Sequence, residues 1–201
     1  ECAFSQGRKI YGALNGILGV LNDNFTDLNM TFANMDRIRL LKTTPSAYLG
    51  SCRYKLPPVD EDTKVYEQIF ANFEKYDITM FIYIGGNDSM DTVRKLSDYA
   101  QEHNKNVSIV GVPKTIDNDL MCTDHTPGFG SAAKFVATAV SEIARDCAVY
   151  RDKSITIVEI MGRNAGWLTA SSALARSSTS DAPHLIYLPE RLLSAEQLIS
   201  D

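Results

Sequence analysis

Seven consecutive residues, Pro113-Lys114-Thr115-Ile116-Asp117-Asn118-Asp119, set an ammonium, a hydroxyl and two carboxylates within a few positions of one another. Asx turns in a polar loop account for Asn118 and one aspartate, but not for Lys114 and both carboxylates together. Carboxylates gathered near a cation are what a site needs in order to hold a metal-bound polyphosphate and take a proton from a hydroxyl. Two further segments carry related groups. Gly85-Gly86-Asn87-Asp88-Ser89 reads on its own as a tight turn with Asp88 or Ser89 capping a helix, although the same glycines would let backbone N–H groups approach an anion. Met161-Gly162-Arg163-Asn164 places a guanidinium beside glycine, suited to a bidentate grip on phosphate or, more plainly, to a surface carboxylate. Thr126-Pro127-Gly128-Phe129-Gly130-Ser131 either presents N–H groups to a phosphate or simply caps a helix, and the sequence does not separate these. Arg53, after Leu49-Gly50-Ser51-Cys52, is a weaker phosphate contact, His103, His125 and His184 do not cluster and receive no role, and Trp167 reads as core.

The elements that must position these groups follow from apolar periodicity. Short continuous apolar runs at 78–84, 107–112, 155–160 and 185–188 predict strands buried on both faces, as in a parallel sheet. Between them, Ala132, Phe135, Val136, Ala139, Val140, Ile143, Ala144 and Cys147 recur three and four apart and predict a helix from about Gly130 to Tyr150. Further helices are predicted over Asp62–Lys75, Asp91–His103 and Ala165–Arg176, with another beginning at Ser194. Alternating strands and helices predict an α/β fold, a doubly wound and mostly parallel sheet with helices on both faces, whose ligands sit beyond the carboxyl ends of the strands. Three of the chemistry-bearing segments fall at such ends. Before Pro57-Pro58 the pattern is less regular; Tyr11-Gly12-Ala13-Leu14-Asn15-Gly16 and Thr43-Thr44-Pro45-Ser46 read as turns, and no domain boundary is placed there.

Composition narrows the function classes. The 201 residues are 44% hydrophobic and 22% charged, enough apolar side chain for a packed core. A net charge of -5 argues against nucleic-acid binding, which needs a basic surface. No apolar stretch approaches the ~20 residues that span a bilayer, so no membrane association is expected. Cys2, Cys52, Cys122 and Cys147 form no CxxC pair, which points to reduced thiols in a cytoplasmic protein rather than to zinc or a disulfide framework. No G-x-G-x-x-G opens a helix, which disfavours a dinucleotide-dependent oxidoreductase. The chain opens on Glu1 and stops inside a helical pattern, and is expected to be a fragment.

Taken together, Leu49-Gly50-Ser51-Cys52-Arg53, Gly85 to Ser89, Pro113 to Asp119, Thr126 to Ala132 and Met161-Gly162-Arg163 resemble the phosphofructokinase family in order and spacing. The resemblance covers nearly the whole chain. It implies a phosphofructokinase-like fold in which residues 1–201 form one donor-binding and catalytic domain, the family's first strand and glycine-rich loop preceding Glu1 and its later sugar-binding half following Asp201. Members phosphorylate the C1 hydroxyl of fructose 6-phosphate from ATP or pyrophosphate with Mg²⁺, and the full-length chain is expected to be a homo-oligomer. Those using ATP typically carry glycine at the positions of Asp88 and Lys114, whereas those using pyrophosphate resemble this chain at both. A carboxylate at Asp88 would repel and displace a nucleotide's α-phosphate, and Lys114 would supply compensating charge.

By that resemblance Asp117 is the general base, Lys114 and Thr115 hold the transferring phosphoryl, and Asp88 excludes the nucleotide. Thr115, Ile116, Asp117, Asp119, Met161, Gly162 and Arg163 line the sugar site. Gly50, Arg53, Gly85, Gly86, Asp88, Ser89 and Lys114 lie on the donor side. Asn87 stands where the family has a metal-organising aspartate, which keeps an oxygen ligand and loses a charge. Ser154, next to Lys153, stands where many members place an arginine that reaches a neighbouring subunit. The remaining readings are an ATP-dependent 6-phosphofructokinase and a non-catalytic regulatory subunit of the same fold. NAD and diacylglycerol kinases share a Gly-Gly-Asp loop but lack the Thr-Ile-Asp-Asn-Asp and Met-Gly-Arg pair.

Overall fold

Tyr66, Ile69, Phe70 and Phe73 are spaced three and four apart, and all four are buried on one face of the helix Thr63–Lys75. That face is the centre of the first of two compact units into which the chain divides, the first ending at Val112 and the second beginning at Pro113. The structure is a computed structural model that describes residues 6–201; Cys2 lies outside the described residues.

In the first unit, strands β1 (Tyr11–Ala13) and β2 (Phe25–Asp27) pair antiparallel around the short helix α1 (Ile17–Leu21). Helices α2 (Leu28–Thr31) and α3 (Met35–Leu40) follow, and α4 is Thr63–Lys75. Asp27 and Asn34 cap α2 and α3 through their side-chain oxygens. Strand β3 (Met80–Gly85), helix α5 (Asn87–Glu102) and strand β4 (Ser108–Pro113) then make a strand–helix–strand crossover, with β3 and β4 hydrogen-bonded side by side in a parallel sheet. Ile17, Val20, Leu56, Leu96, Tyr99 and Ala100 complete the core around α4. Tyr99 stacks on Tyr66 and on Phe70, each at 5.1 Å between ring centroids. Burial pushes the Tyr66 phenol up to about 12. Its hydroxyl donates to Pro57 O at 2.6 Å, which keeps the ring's polar end satisfied.

In the second unit, helix α6 (Phe129–Cys147) packs against α7 (Trp167–Ser171) and the 3-10 turn Ser172–Ala175 that continues it. Val140, Leu168 and Ala175 are buried there. Helix α8 (Ala195–Ser200) is capped by Ser194, whose Oγ accepts from Gln197 N at 3.1 Å.

The structure corrects several expectations from sequence. Residues 155–160 and 185–188 form no strand. Ile155 and Ile157 are 93% and 85% exposed; a β-branched run states a preference, but a strand exists only where a neighbour pairs with it. Tyr11–Ala13 is a strand rather than part of a turn, because Phe25–Asp27 gives it a partner. Helix α5 begins at Asn87, four residues before the expected Asp91. Residues 165–176 narrow to α7 and its 3-10 continuation. Trp167 is 56% exposed and so is not core. On α6, Val140 is buried but Phe135 is 73% exposed, so the apolar stripe is only partly covered. Among the described residues, no helix is long and apolar enough to cross a membrane.

One buried amide joins α1 to α4. Asn72 is 4% exposed, and its Nδ2 donates to Val20 O at 2.7 Å and to Leu21 O at 3.3 Å, the carbonyls that end α1. Asn72→Ala is therefore expected to lower stability by about 1–3 kcal/mol, through loss of both bonds from its amide to the end of α1. Denaturant titration should show a lower midpoint at unchanged slope.

Candidate active site

The donor-side candidates lie in the first unit. Gly85 ends β3, and Gly86, extended at φ -82°, is the N-cap of α5 without any side-chain bond. Asn87, Asp88 and Ser89 thus occupy the first helical turn, and the expectation that Asp88 or Ser89 is the cap is corrected: the backbone turns into the helix two residues earlier. Asn87 and Asp88 are exposed. Free N–H groups at this helix start favour the Asp88 carboxylate, and they favour a phosphate by the same physics. A Cβ on Gly85 would overlap the Ser89 side chain, so glycine there lets the helix start close onto the strand.

The segment carrying Gly50 and Arg53 is tied to the turn after β1. Asn15 N donates to Leu49 O at 2.7 Å, and Asn15 Nδ2 to Ser51 O at 3.3 Å. Gly16, in the same turn, has Cys52 Sγ and the Tyr83 hydroxyl as its nearest side-chain neighbours. The Gly50–Arg53 segment and the end of β3 are therefore brought together inside one unit. Burial raises the Tyr83 phenol above its ordinary value, with a bond to Ser89 opposing it.

The catalytic candidates lie in the second unit. Asp117, Glu159, Ile160, Met161, Gly162 and Arg163 line one open pocket of about 470 Å³. Two segments more than forty residues apart in sequence are thereby joined. Thr115 Oγ1 accepts from Asp117 N at 3.0 Å, which ties the backbone under the aspartate while leaving the hydroxyl hydrogen free to donate. Lys114 and Asp119 are exposed, and neither they nor Thr115 and Ile116 belong to the pocket lining. Among the described residues, Lys114, Asp117, Asp119 and Arg163 make no ion pair. No described side chain pairs with these charges, which leaves the cations available to an anion and the carboxylates to a proton or a metal.

Sequence reasoning passed over two carboxylates here. Glu159 lines the pocket, and its signal was a charge inside an otherwise apolar run. Glu190 Oε1 accepts from Gly166 N at 2.7 Å, holding the start of α7 just after the Arg163 loop; its signal was a carboxylate following Pro189 at the end of the 185–188 apolar run.

The family model described as Phosphofructokinase matches residues 1–201. The chain belongs to the phosphofructokinase family. It is 46% identical over 185 residues to the pyrophosphate–fructose 6-phosphate 1-phosphotransferase of Xanthomonas campestris pv. campestris strain B100, covering 91% of this chain and 44% of that protein. It is 44% identical over 192 residues to the protein of the same name from Rhodospirillum rubrum, covering 96% of this chain and 45% of that one. A crystal structure of the pyrophosphate-dependent phosphofructokinase of Marinobacter aquaeolei superposes with a TM-score of 0.78 at 39% identity, over 96% of this chain and 47% of the other. The α/β class read from sequence is thus that of a phosphofructokinase fold. The chain spans less than half the length of these curated relatives.

Gly162 is the most constrained backbone position at the pocket of this phosphofructokinase chain. Its φ is +143°, and a Cβ there would overlap Ala165 O. Gly162→Ala is expected to cost about 1–3 kcal/mol in strain and to shift the Arg163 loop. A lowered thermal unfolding midpoint would show the strain, and an unchanged one would contradict it.

Proposed function

We propose that this chain is the donor-binding and catalytic half of a cytoplasmic, homo-oligomeric enzyme that transfers a phosphoryl group from pyrophosphate to the C1 hydroxyl of fructose 6-phosphate. The products are fructose 1,6-bisphosphate and phosphate. The observation that carries this reading is the pocket shared by Asp117 and Arg163, built from the family's two most specific motifs. Asp117 accepts the C1 hydroxyl proton as the oxygen attacks the phosphorus, the bridging P–O bond breaks, and phosphate leaves with the electron pair. Arg163 steadies negative charge at the sugar side, while Lys114 and the Thr115 hydroxyl steady it on the transferring group. Asp119 helps to orient the sugar or the metal, and Ile116, Met161 and Gly162 shape the sugar site. Gly50, Arg53, Gly85, Gly86 and Ser89 serve the donor.

Support for pyrophosphate over ATP comes from Asp88 and Lys114, and from the names of the relatives. A fixed carboxylate at Asp88 repels a nucleotide's α-phosphate, and a diphosphate has no such group to be repelled.

The donor set also fits Mg²⁺. Among the described residues, no three His, Cys, Asp or Glu side chains cluster as a metal cage. Adjacent hard oxygens at Asn87 and Asp88 suit an ion that keeps few protein ligands and is held largely by phosphate oxygens. Bound there, Mg²⁺ would neutralise charge on the donor.

Two tests on the full-length enzyme follow. Asp117→Asn should lower kcat by about 10²–10⁴-fold, the usual worth of a general base, and near-normal turnover would remove Asp117 from that role. Asp88→Gly combined with Lys114→Gly should admit ATP as donor, and an unaltered donor preference would contradict the exclusion argument.

A further inference from the structure

Asn118 sits between the two aspartates of the catalytic loop and belongs to none of the roles assigned above. Its backbone is left-handed, φ +60°, a conformation that asparagine tolerates and most residues do not. Its side chain makes two bonds across the loop. Oδ1 accepts from Thr126 N at 2.9 Å, and Nδ2 donates to Asp124 O at 3.1 Å. Both bonds run to backbone, and Thr126 is 3% exposed, so the far end of this bridge is anchored in a buried residue. From the other side, Thr115 Oγ1 takes the N–H of Asp117. Asp117 is therefore bracketed by two side-chain-to-backbone ties, while its own carboxylate makes no ion pair among the described residues.

A surface loop without such ties opens locally at little free-energy cost. A carboxylate on it would then spend its time in many positions, and catalysis by a general base depends steeply on where the base sits. The bridge also needs a donor and an acceptor on one short side chain that accepts a left-handed backbone. Asparagine meets all three requirements.

We propose that Asn118 is a positioning residue, which closes the loop from Asp117 to Thr126 and so holds the Asp117 carboxylate at the pocket. The inference rests on the reading of Asp117 as the base. Asn118 touches no substrate in this account; it acts on the rate through Asp117.

The test uses three variants of the full-length enzyme, assayed for phosphoryl transfer from pyrophosphate to fructose 6-phosphate with Mg²⁺. Asn118→Gly retains the left-handed backbone and removes both bonds. Asn118→Asp retains the acceptor for Thr126 N–H. Asp117→Asn reports whether the base reading stands. Asn118→Gly is expected to lower kcat by about 10–100-fold, with KM for pyrophosphate little changed. Asn118→Asp should recover part of that loss. Wild-type kcat in Asn118→Gly overturns the inference, because the bridge is then dispensable. So does a loss in which kcat, both KM values and the unfolding midpoint decline together without recovery in Asn118→Asp, which describes a general folding defect. Full activity in Asp117→Asn would instead overturn the base assignment, and with it the positioning role; a slow Asp117→Asn beside an unaffected Asn118→Gly leaves the base in place and removes Asn118 alone.

Discussion

A carboxylate and a guanidinium in one pocket are both available to a ligand only while neither neutralises the other. Asp117 and Arg163 line the same open pocket without forming an ion pair. Closing onto each other would remove both a proton acceptor and an anion site, since a close pair of opposite charges attracts strongly as water is excluded. Backbone ties flank both residues. Thr115 and Asn118 tie the segment under Asp117, and Gly162, with its positive φ, turns the chain into Arg163. Glu190 then holds the start of α7 through Gly166 N. These are local bonds to main chain, which fix direction without spending the functional charges.

The first unit solves a different problem with different means. Its aromatic core, from Tyr66 through Phe73 to Tyr99, packs α4 against the C-terminal part of α5. Lys95, only 15% exposed, pairs with Asp91 at 2.8 Å and donates to Leu56 O at 2.8 Å, joining α5 to the segment that follows Arg53. Its bond, with that of Arg94, holds the Asp91 carboxyl below its usual value. An exposed Asp88 in the first turn of α5 is consequently presented by a well-packed helix rather than by a mobile loop.

Much of this was legible in the sequence where a single physical rule decided it. The crossover β3–α5–β4 and helices α4 and α6 followed from apolar spacing, whereas the pocket shared by Asp117 and Arg163 forms without the strand that was expected to lead into Met161. What failed depended on partners that periodicity cannot see. Tyr11–Ala13 becomes a strand through Phe25–Asp27, and residues 155–160 form no strand. The start of α5 moved because a glycine N-cap carries no side-chain signal. Trp167 was misread because a large aromatic at helical spacing usually points to a core. The Asx-turn reading of Asn118 matches its bonds within the loop to Asp124 and Thr126, whereas Glu190 acts on the backbone of Gly166, twenty-four residues away, a relation that residue type alone does not reveal.

The chain belongs to the phosphofructokinase family, and the proposed function assigns the choice of donor to Asp88 and Lys114. The most direct measurement is turnover of fructose 6-phosphate by the full-length enzyme with Mg²⁺ and a single donor, pyrophosphate in one series and ATP in the other. Turnover with pyrophosphate and none with ATP is the expected result. Turnover with ATP alone would contradict the exclusion role of Asp88, and no turnover with either donor would contradict the catalytic reading of Asp117 and Arg163.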